Sequence, residues 1–233
     1  LDEIVNIKNE IMNQDSNQFT EKDKFLQEIP KISPELLRNH QSKGNFLEML
    51  EVLGAFQSGL PIGDPKQYQV ENILGFIGKY QFGEPILIEL GYYKTNIYYG
   101  HGSDKNYWQD KWTGKHDIDS KEKFLQSPKV QEIAIREAFT LNWRLIDKTL
   151  KKQGKSLESY LGQKKTFDDG GELKTITITL SGILAAAHLR GPYGMANLLL
   201  KHPSCHDEFS ISIIRYLDEY SGYDMTIEDF AIS

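Results

Sequence analysis

Between Leu74 and Glu84 an aromatic ring, an amide and a carboxylate crowd against three glycines. Gly75, Gly78 and Gly83 alternate with Phe76, Tyr80 and Phe82, Gln81 follows the tyrosine, and Glu84 closes the run. Glycine admits backbone angles closed to other residues and lets a ligand lie against the main chain. The spacing therefore predicts a tight, aromatic-walled turn or short hairpin. Tyr80 supplies a flat face and Gln81 an amide, which together suit a sugar ring carrying an N-acetyl group. An ordinary Gly-rich connection has the same local look, so the flanking elements must decide.

Several elements would position this turn. Asn45 caps a helix with an apolar face of Phe46, Leu47, Met49, Leu50, Leu53 and Phe56. The pattern stops at Gly59-Leu60-Pro61, which sets Gln57 and Ser58 at its C-terminal end. Residues 59–75 predict an irregular crossing, with Asp64 as a turn residue between Gly63 and Pro65. Glu84-Pro85 starts a helix through Leu90, closed by Gly91. Tyr92, Tyr93, Tyr98, Tyr99, Tyr107, Trp108 and Trp112 either anchor a long loop to the core or stack on sugar rings.

Ser127-Pro128 opens the longest helix, to about Gln153, with Val130, Ile133, Ala134, Phe139, Trp143, Ile146 and Leu150 on its buried face. A short helix at Ser156–Leu161, a turn at Asp168–Gly171 and an alternating strand at Thr175–Thr179 follow. The small-residue run Leu180–Arg190 allows close helix packing and breaks at Gly191-Pro192. Helices at 193–201 and around Ser212–Tyr220 complete the chain. Residues 1–32 predict two helices of an arm or linker, then a short helix at 33–40, with one domain over 33–233. The expected fold class is mainly α (α+β), with a small β-hairpin element.

With 233 residues, 39% apolar and 26% charged, the chain can bury a sizeable core. A net charge of −6 without a long basic run argues against broad nucleic-acid binding. Cys205 is the only cysteine, which excludes an internal disulfide framework. No apolar run approaches the roughly 18 residues that cross a bilayer. The chain begins at Leu1 rather than Met, as expected of a processed form or a fragment.

Three pieces line up in order: Phe56-Gln57-Ser58-Gly59 at a helix end, Gly78-Lys79-Tyr80-Gln81 in the turn, and Leu184-Ala185-Ala186-Ala187-His188-Leu189-Arg190-Gly191-Pro192 in a late helix. This order resembles the lysozyme-like superfamily, in particular the goose-type lysozymes and lytic transglycosylases that cut peptidoglycan glycan strands. Those proteins carry Glu-Ser at the end of a core helix, then a Gly-x-(aromatic or apolar)-Gln segment, then an Ala-Tyr-Asn-Ala-Gly-type helix. The 24 residues from Gln57 to Gln81 are near the family's usual gap. The resemblance covers roughly residues 45–200. It implies a lysozyme-like helical domain, a peptidoglycan or related glycan as partner, no cofactor or metal, and a location in the cell envelope or outside the cell. Ser58, Tyr80, Gln81 and His188 would touch the glycan.

The departures bear on the chemistry. Cleavage needs a carboxylic acid, its pKa raised in a partly apolar site, to protonate the leaving oxygen. Gln57 stands where the family has its Glu. An amide can hydrogen-bond that oxygen but cannot deliver and retrieve a proton. Either the glutamine was introduced to trap a substrate, or it marks a natural protein that binds without cutting or serves other chemistry, or another carboxylate acts. Glu71 and Glu84 are the candidates for that last role, although an acid at a helix start, like Glu84, also complements the dipole. Ala187-His188 replaces the family's Tyr-Asn. His188 can reach a cleft as a donor or base, or simply fill a structural role.

His202, Cys205 and His206 lack a fourth ligand at suitable spacing, and His116-Asp117 with Asp119 is weaker still, so no metal site is expected. No phosphate-binding Gly-rich fingerprint and no Gly-x-Ser-x-Gly elbow is present.

Overall fold

The computed structural model describes residues 42–96, 105–201 and 208–231. The arm expected at 1–32, the helix at 33–40, Tyr98, Tyr99, His202, Cys205 and His206 lie outside the described residues. The described chain divides into two compact units, one of Leu50–Ala138 and one of residues 42–49 with Phe139–Ala231. The boundaries fall inside the two helices named here α1 (Phe46–Ser58) and α4 (Pro128–Lys151).

α1 begins at a reciprocal capping box. Asn45 Oδ1 accepts the Glu48 N–H at 3.0 Å, and Glu48 Oε2 accepts the Asn45 N–H at 2.7 Å. In the first unit the crossing after α1 contains a 3-10 turn, Pro65–Gln69, capped by Asp64 Oδ1 on the Lys66 N–H. The Gly-rich segment follows, then α2 (Glu84–Glu89), the short antiparallel pair β1 (Tyr93–Lys94) and β2 (Lys111–Trp112), and α3 (Lys121–Leu125). Leu50, Leu53, Ile77, Leu87, Ala134 and Ile135 are buried with a chain of aromatic edges. Tyr80 meets Phe82 at 6.1 Å, Phe82 meets Phe124 at 5.7 Å, and Tyr92 meets Phe124 at 6.1 Å. Tyr92, Tyr93 and Trp112 are buried, so these three aromatics anchor their loop; Tyr107 is 53% exposed.

The second unit is built on the remainder of α4, the hairpin β3 (Lys164–Asp169) and β4 (Glu172–Thr177), and four helices: α5 (Leu180–Arg190), α6 (Pro192–Leu200), α7 (Glu208–Glu219) and α8 (Ile227–Phe230). Gly170 and Gly171 take φ of 66° and 100° between the paired Asp169 and Glu172, the left-handed angles a two-residue hairpin loop needs. α5 starts at Thr179, whose hydroxyl accepts the Gly182 N–H. Its small residues let α7 approach until a Cβ on Gly182 would lie 2.6 Å from the Leu217 carbonyl oxygen. Phe139 packs against Phe46 at 6.2 Å and Phe230 at 6.3 Å.

The fold is thus mainly α with two small antiparallel hairpins. β3 was not expected, because Lys164-Lys165-Thr166-Phe167-Asp168-Asp169 carries one buried residue, Phe167, and takes its extended form from pairing with β4. The helix expected at Ser156–Leu161 shortens to a 3-10 turn, Glu158–Tyr160. Among the described residues no helix is long and apolar enough to cross a membrane.

Candidate functional site

The Gly-rich segment is a closed turn fixed from inside by buried charge. Ile77 and Phe82 exchange both backbone hydrogen bonds, at 3.0 and 2.8 Å. Lys79, between them, has no exposed surface; its ammonium lies 2.8 Å from Glu51 Oε1 on α1 and 2.9 Å from Glu132 Oε1 on α4. The Tyr68 and Tyr80 hydroxyls donate to Glu132 at 2.7 and 2.9 Å. Burial alone would lower the Lys79 pKa, but Glu132 and Glu51 outweigh it and hold the ammonium above its ordinary value. Burial, then the Glu132 charge, pushes the Tyr80 and Tyr68 hydroxyls well up, so both remain donors. Gln131 completes the inner wall: its Oε1 accepts the Lys79 N–H at 2.9 Å, and its Nε2 donates to the Tyr68 and Phe124 carbonyls.

A strap at 105–108 holds the turn from its other side. Asn106 Oδ1 accepts the Glu84 N–H at 2.6 Å, while its N–H and Nδ2 both donate to the Leu74 carbonyl. Trp108 Nε1 donates to the Gly75 carbonyl at 2.7 Å. Beside this strap stand exposed Ile73, Leu74 and Tyr107, with the Lys105 ammonium 5.3 Å over the Tyr107 ring.

Glu51 and Gly54 mark the side of α1 that meets the turn. At 3.6 residues per turn, Gln57 stands about 60° round α1 from Gly54 and about 120° from Glu51. Glu51 binds Lys79, and Gly54 lies under the Lys79 stem, close enough that a Cβ there would collide with it. Gln57, near the end of α1, is half-buried. Ser58 is also half-buried, its hydroxyl accepting the Leu60 N–H at 3.3 Å. Gln67 donates Nε2 to the Leu60 and Pro61 carbonyls, while its buried Oε1 has no hydrogen-bond partner among the described residues. Gln81 is half-buried at a φ of +48°, its Nε2 on the Gly78 carbonyl at 2.8 Å. Side chains rarely hold that backbone conformation outside turns and sites.

The other expected site residues stand differently. Tyr80 is fully buried, so the flat face expected to meet a sugar is core, and its hydroxyl serves Glu132. Glu84 is fully buried too; its oxygens accept the Trp108 N–H at 2.7 Å and the Tyr107 N–H at 3.3 Å, which makes it the anchor of the strap rather than an open acid. Glu71 is exposed and paired with Lys121 at 2.8 Å. His188 belongs to the second unit, half-buried on α5, its ring 6.1 Å edge-on from Phe139. Among the described residues no group of three His, Cys, Asp or Glu could hold a metal ion. His116 instead approaches Glu137 at 3.8 Å.

Sequence reasoning passed over Glu51, Lys79, Gln131 and Glu132. The available signal was Glu51, an acid one helical turn before Gly54 in a helix whose other acid, Glu48, serves the cap. Chemically Gln57 and Gln81 offer amides and Ser58 a hydroxyl, while Glu51, the acid of α1 that meets the turn, is engaged by Lys79. No known protein family, curated protein or solved structure matches this chain, so the reading rests on the residues themselves.

Proposed function

We propose that this chain recognises peptidoglycan-type glycan strands at the end of α1 and the Gly-rich turn, and holds them without efficient cleavage. What supports this reading is Gln57, half-buried near the end of α1 and three residues after Gly54, the residue that packs on the Lys79 stem of the turn bearing Gln81. Two amides and the Ser58 hydroxyl suit the hydroxyl and N-acetyl groups of such sugars. Tyr107, the exposed aromatic on the strap, takes the stacking role that Tyr80 cannot fill. An amide in place of a general acid forfeits roughly 10²–10⁴-fold in rate, which is why binding is the activity assigned.

The test is Gln57→Glu on purified cell-wall sacculi. The wild-type chain is expected to co-sediment with sacculi, and the folded variant to release soluble fragments about 100-fold faster or more. A wild-type chain that stays in the supernatant, together with a folded variant that releases nothing, overturns the proposal.

A further inference from the structure

The second unit carries a cleft of about 800 Å³ between the end of α4, the 3-10 turn at Glu158–Tyr160, the start of β3 and the end of α6. Four lysines line it, Lys151, Lys155, Lys165 and Lys201, and no aspartate or glutamate does. Lys151 is neutralised by Asp147 at 2.6 Å. Lys155, Lys165 and Lys201 have no carboxylate partner among the described residues. The Lys165 ammonium donates to the Leu199 carbonyl at 3.0 Å and lies 4.7 Å over the Tyr160 ring. Burial, and then the like charge of Lys155, holds Lys165 below its ordinary pKa. Three such lysines thus line one volume in a chain whose net charge is −6.

We propose that this cleft binds the phosphate ester of a sugar or polyol. A cleft lined by one sign of charge focuses its field on a ligand of the opposite sign. Lysines act as point charges toward phosphate, whereas planar carboxylate recognition calls for the arginine fork, which the lining lacks. A phosphate monoester carries about 1.5 to 2 negative charges near neutral pH, a better match to three ammonium groups than one carboxylate. The volume lies in the range of roughly 300–1,000 Å³ for small-molecule sites, too large for a phosphate alone. Ser156, Ser159 and Gln163 supply hydroxyl and amide groups for the polyol. The ester is either a free metabolite-sized monoester or one unit of a polyol-phosphate polymer, whose diesters carry one charge each and would engage the lysines through successive phosphates. This inference is independent of the glycan reading.

Titration of the full chain by calorimetry or amide NMR tests it, with glucose 6-phosphate, glucose and poly(glycerol phosphate) as probes. Saturable binding of glucose 6-phosphate or of the polymer is expected, with no response to glucose. Lys155→Gln combined with Lys201→Gln, both at exposed positions, is expected to weaken binding tenfold or more at unchanged melting temperature. Tighter binding per phosphate by the polymer supports the polymer as source, and equal affinity supports the free ester. No saturable binding of either phosphate probe up to about 10 mM, weaker than the roughly millimolar affinity worth about 4 kcal/mol, overturns the proposal. So does binding that glucose matches or that the double variant retains in full.

Discussion

The stem of Lys79 fills the space that a Cβ on Gly54 would need, and the two residues fix the spacing between α1 and the Gly-rich turn. Lys79 is held at its far end by both Glu51 and Glu132, so it cannot swing aside. Gly54→Ala sets two effects against each other. Alanine favours a helix interior by about 1 kcal/mol over glycine, while overpacking a filled site costs about 1–3 kcal/mol. The expected outcome is a net loss of stability, read as a lower urea midpoint with an unchanged slope. A stabilised variant would show that the turn can shift.

Lys79→Met removes the cation and leaves two carboxylates facing each other's charge. Breaking a buried pair from one side costs about 3–5 kcal/mol, and a loss of that order is expected from the same denaturation experiment. Because the folded pKa of Lys79 is raised, its contribution is complete below the unfolded value of 10.5 and fades as pH rises through the higher folded value. The gap between wild type and variant is therefore expected to stay constant from pH 7 to 9. A gap that closes within that window would contradict the assignment.

Glu137 gives the opposite limb. Burial alone would raise its carboxyl, but His116 and the Lys115 ammonium, at 2.7 Å, bring it below 4.5. A depressed carboxylate stabilises above its unfolded pKa, and that contribution is lost as pH falls through the folded value. Glu137→Gln is expected to lower the melting temperature at pH 7 and to approach wild type at pH 3. Parallel curves across that range would exclude the ion pair as the cause.

Gln81→Gly separates shape from recognition. Relief of a left-handed residue gains roughly 1–2 kcal/mol. Loss of the bond to the Gly78 carbonyl costs about 1 kcal/mol, and the freer unfolded chain costs roughly another 0.4–1 kcal/mol. Stability is expected to change by less than about 1 kcal/mol. Co-sedimentation with sacculi is expected to fall at least tenfold, equivalent to about 1.4 kcal/mol. Undiminished binding would remove Gln81 from the site.

Local signals in the chain were readable where one residue type has one physical use. The Asn45 cap and the Ser127-Pro128 start stand where expected, and the turn expected over Asp168–Gly171 narrows to Gly170-Gly171, with Asp168 and Asp169 paired in β3. Residue type says less about which way a side chain faces in a tight turn, so Tyr80 read as a platform although its hydroxyl is needed inside by Glu132. Glu51 and Glu132 were not among the candidate residues, because nothing local to either helix names the group each one binds. Their partner Lys79 lies 28 and 53 residues away in sequence, beyond the reach of any periodic pattern. β3 escaped for the related reason that pairing with β4, rather than its own composition, makes it a strand.

The distance along the chain from Lys79 to Glu132 also sets an order of events during synthesis. A ribosome that has released residue 80 but not yet residue 132 displays a lysine and a tyrosine whose acidic partner does not exist. The turn acquires its final shape only when the first turns of α4 emerge, so the first unit cannot mature piecemeal from its N-terminal side.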